Sequence, residues 1–165
     1  MNLMNRTSEE LEQCKNFNEV FEVVKHCVQK SLKRHRAGLT LILAELPNYV
    51  GAYHIMGSNI IVMNETILNA IKIFATSKAE LNSFIFSILT HEYLHSIGYM
   101  DERNVRFLVR KVSTENFGKD HQTIKFALGD LFTIYPQLKS LGIGRTGKEF
   151  TIIKEFDKSS MPYIG

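Results

Sequence analysis

An α+β fold is what this sequence predicts, on three observations. Residues 11–32 and 81–93 carry apolar side chains every third or fourth position, the period of a helix with one buried face. Between them lie short apolar runs separated by Pro, Asn and Gly, the pattern of a small sheet. After Gly98 the helical spacing resumes and fills most of the second half.

Taken in order, Thr7 and Glu10 form a T-x-x-E capping box, which predicts the start of a first helix. Leu11, Cys14, Phe17, Phe21, Val24, Val28 and Leu32 continue it as one long amphipathic rod. Its end is marked by the basic run Lys30 to Arg36 and by Gly38 as C-cap. Cations suit a helix C-terminus, so the run reads as a solvated helix end before it reads as a nucleic-acid patch. Leu39 to Ala44 is a continuous apolar run and predicts a buried strand. Residues 50–55 and 59–64, separated by Met56-Gly57-Ser58, predict a hairpin.

Ile67, Leu68, Ile71 and Phe74 predict a short helix. Ser77 and Glu80 repeat the capping box, and the helix they open runs to Gly98. A further helix is expected from Asp101 to about Phe117, stopped by Gly118, and another from about His121 to Tyr135, stopped by Pro136. The tail holds Gly-rich punctuation and then an alternating, strand-like piece, EFTIIKEF.

With 165 residues the chain is read as one domain, residues 1–165. Residues 1–98 form its upper half, with the sheet and the motif helix, and residues 99–165 its lower half. A net charge of +3 does not call for nucleic acid. No window is apolar enough to span a membrane, and MNLMNRTSEELEQ lacks the apolar stretch of a secretory signal. A cytoplasmic location is expected. Cys14 and Cys27 would lie about 20 Å apart on one helix, too far to bridge, and read as buried thiols.

The chemistry lies in residues 90–101, T-H-E-Y-L-H-S-I-G-Y-M-D. On a helix His91 and His95 stand one above the other and can present two imidazole nitrogens to one ion. Glu92 sits about 100° round the helix, placed to reach a water beside that ion without ligating it. Zinc held by three protein ligands lowers its water's pKa to about 7, and Glu92 would act as general base and then general acid.

At these residues the chain resembles the metzincin clan of zinc metallopeptidases, whose motif is H-E-x-x-H-x-x-G-x-x-H or D. Here the motif spans His91 to Asp101, with Gly98 at the turn. The resemblance implies a small zincin-like domain that hydrolyses a peptide or protein substrate, with zinc on His91, His95 and Asp101. It also implies that Ser159-Ser160-Met161-Pro162-Tyr163 is the Met-turn, with Met161 under the metal and Tyr163 bonding the tetrahedral intermediate. Asp101 has a competing role as the N-cap of the next helix, in which case His121, Glu115 or Glu102 is the third ligand. The segment NIIVMN is the expected edge strand for substrate pairing, or else an interior strand, and His54 is a lesser site candidate.

Two other classes compete. A family of bacterial ribonucleases shares H-x3-H and L-H-x-x-G-Y but lacks a glutamate at the position of Glu92. A helical regulator with structural or no zinc would use neither the base nor an open site. Cys14 or Cys27 would act on the metal only as a latency-conferring thiol.

Overall fold

The computed structural model describes residues 2–157 and confirms the α+β class. Helices α1 (Leu3–Gln13) and α2 (Phe17–Leu32) are followed by strand β1 (Thr40–Ala44) and the hairpin β2 (Ala52–His54) and β3 (Ile60–Asn64). Then come α3 (Glu65–Phe74), α4 (Lys78–Ile97), α5 (Glu102–Phe117), α6 (Thr123–Leu128) and α7 (Leu131–Ile134). A 3-10 turn (Pro136–Leu141) leads to strand β4 (Phe150–Ile152). Among the described residues no helix is long and apolar enough to cross a membrane.

The expected single N-terminal rod is two helices. Asn16 caps α2 by accepting from the Glu19 amide, and Asn82 of α4 donates to the terminal carbonyls Leu11 O and Cys14 O of α1. A break that leaves polar backbone groups in the interior is stable only where such partners exist. The apolar period runs through the break, which is why the sequence reads as one rod. The start also differs. Asn2 is the N-cap of α1, whereas Thr7 lies inside the helix and donates its hydroxyl to Leu3 O. Cys14 and Cys27 are free, buried thiols, as expected. Burial pushes the Cys14 thiol up to about 11 and the Cys27 thiol up to about 12, so both stay protonated.

Helix α2 ends at Lys33, which adopts the left-handed conformation (φ 57°), not at Gly38. The basic run that follows is not merely solvated. Arg34 donates to Ile97 O and Arg36 to Ser96 O, so both cations hold carbonyls at the end of α4.

The sheet order is β2-β3-β1-β4. β1 runs parallel to β3, with Ile42 opposite Val62. The hairpin is present, with Tyr53 opposite Val62, but β3 is interior and β2 forms the edge. NIIVMN is therefore not the edge strand. β3 is buried on both sides from Ile61 to Asn64, while β2 is not. Leu41, Ile61, Met63, Leu68, Phe86 and Leu89 belong to the core between this sheet and the helices.

The expected helix over 121–135 is interrupted. A side chain at Gly129 would come within 2.7 Å of Lys125 O, and Asp130 starts α7 by capping the Phe132 amide. The strand-like tail contributes only β4, antiparallel to β1, before Phe156 stacks on Phe21 at 4.3 Å.

Candidate metal centre

Helix α4 carries the motif and is fixed at both ends. Ser77 accepts from the Glu80 amide, and the Glu80 carboxylate receives the Tyr135 hydroxyl at 2.6 Å and the Lys125 ammonium at 3.0 Å. Burial alone would raise the Glu80 carboxyl, but Tyr135 and Lys125 prevail and hold it below the ordinary range. At the far end Gly98 (φ 118°) takes the left-handed conformation, and its amide and that of Tyr99 close on His95 O and Leu94 O. The chain reverses there and starts α5 four residues later, at Glu102.

That reversal brings a carboxylate to the two histidines, and it belongs to Glu102. Its Oε1 lies 2.6 Å from His91 Nε2 and its Oε2 lies 2.8 Å from His95 Nε2. The ligand atoms of the three residues all fall within 4.8 Å of one another. The carboxylate of Asp101, the third ligand implied by the resemblance, instead caps α5 by accepting from the Arg103 amide at 3.0 Å. Its oxygen is bent back onto its own helix terminus, as an N-cap must be, while the first helical residue projects across to α4. Glu102 is held below the ordinary carboxylate range, since His91 and His95 outweigh the effect of its partial burial.

The other candidates are elsewhere. His121 stacks on Phe117 at 4.8 Å and its Nδ1 accepts from the Thr123 amide, which ties its ring to the turn before α6. Its Nε2 is buried without a hydrogen-bond partner and is not among the grouped ligands. Glu115 pairs with Lys111 at 2.6 Å. Neither cysteine belongs to the ligand group, so neither thiol caps it. Met161 and Tyr163 lie outside the described residues.

The donor chemistry fits a zinc ion. Two imidazoles and one carboxylate are a catalytic-type set that leaves a coordination position open. The ring of His95 is pre-oriented, because its Nδ1 donates to Tyr99 O at 2.9 Å and so leaves Nε2 facing the group. His91 is held below its ordinary pKa, chiefly by burial, which favours the neutral, ligating form.

Glu92 is only 5 % exposed. Burial is the main cause that pushes its carboxyl up to about 7. Glu102 adds to this, while His95 and the backbone N–H of His54 work against it. A carboxyl with a pKa near neutrality can exchange a proton in either direction.

The cleft over these residues has a volume of about 830 Å³ and is roofed by the β2 hairpin. Gly51 O and the Ile55 amide bond to β3, so the alternate residues Ala52 and His54 turn their main-chain groups away from the ladder. Both line the cleft. His54 Nε2 meets Ser58 O at 2.8 Å, which ties its ring to the hairpin turn. Arg36 joins roof to floor, donating to Ser58 O of the hairpin and Ser96 O of α4. Tyr93, the first x of H-E-x-x-H, is fully buried, and its hydroxyl bonds both the amide and the carbonyl of Arg36. Sequence reasoning missed Arg36 as a strut because its partners lie 22 and 60 residues away. It missed Arg106, four residues past Glu102 on the cleft side of α5, because i+4 spacing acquires meaning only once Glu102 is placed.

The chain matches no known protein family, no curated protein and no solved structure with which it was compared.

Proposed function

We propose that this protein is a zinc-dependent hydrolase of peptide bonds, with His91, His95 and Glu102 holding the metal and Glu92 as general base. The observation that carries the reading is the convergence of the three ligand atoms within 4.8 Å, with buried Glu92 beside them at the floor of an open cleft. Bound zinc would supply Lewis acidity and lower the pKa of water at the site. Glu92 takes the proton from the attacking water and delivers it to the leaving nitrogen as the C–N bond breaks. The outward main-chain groups of Ala52 and the outward carbonyl of His54, whose own N–H bonds Glu92, favour an extended substrate that pairs with the strand edge. The set differs from the metzincin motif in its third ligand, which stands seven residues after the second histidine rather than six.

Metal analysis tests the ligands and hydrolysis tests the base. Zinc bound at unit stoichiometry by wild type should be lost in His95→Ala and Glu102→Ala and retained in Glu92→Gln. Amine release from a peptide mixture should fall by about 10²-fold or more in Glu92→Gln, with RNA left intact by every variant. Full hydrolysis by Glu92→Gln would remove the glutamate from the mechanism. Zinc lost in Asp101→Asn but kept in Glu102→Ala would restore Asp101 as the ligand.

A further inference from the structure

The cleft is asymmetric about the ligand group. Along α4 the residues that line it run from His95 and His91 to Ile88 and Phe84, passing from ligating to apolar. Along α5 they run from Glu102 through Arg106 to Val109. With a rise of 1.5 Å per residue, Arg106 stands about 6 Å beyond Glu102 and Val109 about 10 Å beyond it. Phe126 of α6 with Leu131 and Ile134 of α7 complete an apolar chamber on this side.

Two arginines line the cleft. Arg36 is committed, since its guanidinium holds Ser58 O and Ser96 O. Arg106 is not. Its side chain is 72 % exposed, and among the described residues its one ion pair is the loose contact of Nε with Glu102 Oε1 at 3.8 Å. The terminal fork of the guanidinium is left for a ligand. A planar guanidinium recognises a carboxylate through two parallel hydrogen bonds.

Building on the zinc-hydrolase reading, we infer that Arg106 binds the free C-terminal carboxylate of the substrate and that the chamber takes the side chain of that terminal residue. The protein is then a carboxypeptidase for apolar C-terminal residues. The spacing suits this role, because the terminal carboxylate lies one residue (about 3.8 Å from Cα to Cα) beyond the scissile carbonyl, and the long arginine side chain spans what remains of the distance to Arg106. That is the step from the ligand group toward Arg106. Hydrolysis adds one water across the last peptide bond and releases a free apolar amino acid and a peptide shortened by one residue.

The test uses benzoyl-glycyl-phenylalanine and its C-terminal amide with the zinc-loaded protein. In the Glu92→Gln background, calorimetry should show the acid binding about tenfold or more tightly than the amide, and Arg106→Gln should erase that difference. Wild type should release phenylalanine from the acid and leave the amide largely uncut. Arg106 is exposed, so Arg106→Gln should keep its melting temperature and zinc content, which separates lost recognition from lost structure. Equal binding of acid and amide, or a preference that survives Arg106→Gln, overturns the inference while leaving the zinc-hydrolase reading intact. A protein that binds no zinc overturns both.

Discussion

Glu92 and Glu102 are both carboxylates beside the same two histidines, and their surroundings divide their roles. Glu92 is enclosed and pushed up to about 7, whereas the Glu102 side chain is 53 % exposed and held low by the imidazoles it faces. Asp101, adjacent in sequence, does neither and spends its oxygen on the Arg103 amide. Asparagine caps a helix as well as aspartate does, but it is a poor replacement for an anionic ligand. Asp101→Asn should therefore change zinc affinity by less than about threefold. Glu102→Gln should weaken it at least about tenfold, as measured by competition with a chromophoric chelator.

At the scale of elements, α4 is a rod whose two ends are fastened by different chemistry, and both fastenings bear on the site. Glu80 at its start holds α7 through Tyr135 and α6 through Lys125, so the walls of the apolar chamber hang from one carboxylate. Tyr135→Phe leaves that oxygen one donor short and should cost about 1–3 kcal/mol, read from urea unfolding. The pH dependence has a definite sign. The folded pKa of Glu80 lies below its ordinary 4.5, so its stabilisation is complete above that value and is lost as pH falls through the lower, folded one. Between pH 7 and pH 3 the wild-type melting temperature should drop further than that of Glu80→Gln. An equal drop would assign the acid sensitivity to other groups.

At the scale of the molecule, the chain is closed by its own last described residues. Asp157 is buried against Lys25 at 2.7 Å and accepts from the Gly38 and Leu39 amides, which join α2 to the entry of β1. Asn18 donates to Phe156 O one residue earlier. Lys25 keeps Glu22 at 2.8 Å when Asp157 is changed, so the main loss in Asp157→Asn is the anionic acceptor of the Gly38 and Leu39 amides, which should destabilise the fold by about 1–3 kcal/mol. Zinc uptake by the folded fraction should be unchanged, because these residues lie outside the ligand group. Differential scanning calorimetry with and without zinc separates the two effects.

The α+β class, the bounds of α4 and α5, the hairpin and the trio His91, Glu92 and His95 were legible in the sequence, because each rests on local rules. Helical period, capping residues, the left-handed glycine and i,i+4 spacing all act within a turn or two of chain. What only the tertiary structure decided depends on partners far away in sequence. Asn82 reaching the end of α1 turned one rod into two helices. Pairing of β1 with β3 made β2 the edge strand, and Arg36 fixed that edge over α4. The proposed third ligand lies between these regimes. Both Asp101 and Glu102 fit the spacing, and sequence alone cannot rank an N-cap against the residue after it. The angle at which α5 leaves Gly98 turns one carboxylate onto its own helix and the other onto the histidines, and that angle is set by how α4 and α5 pack.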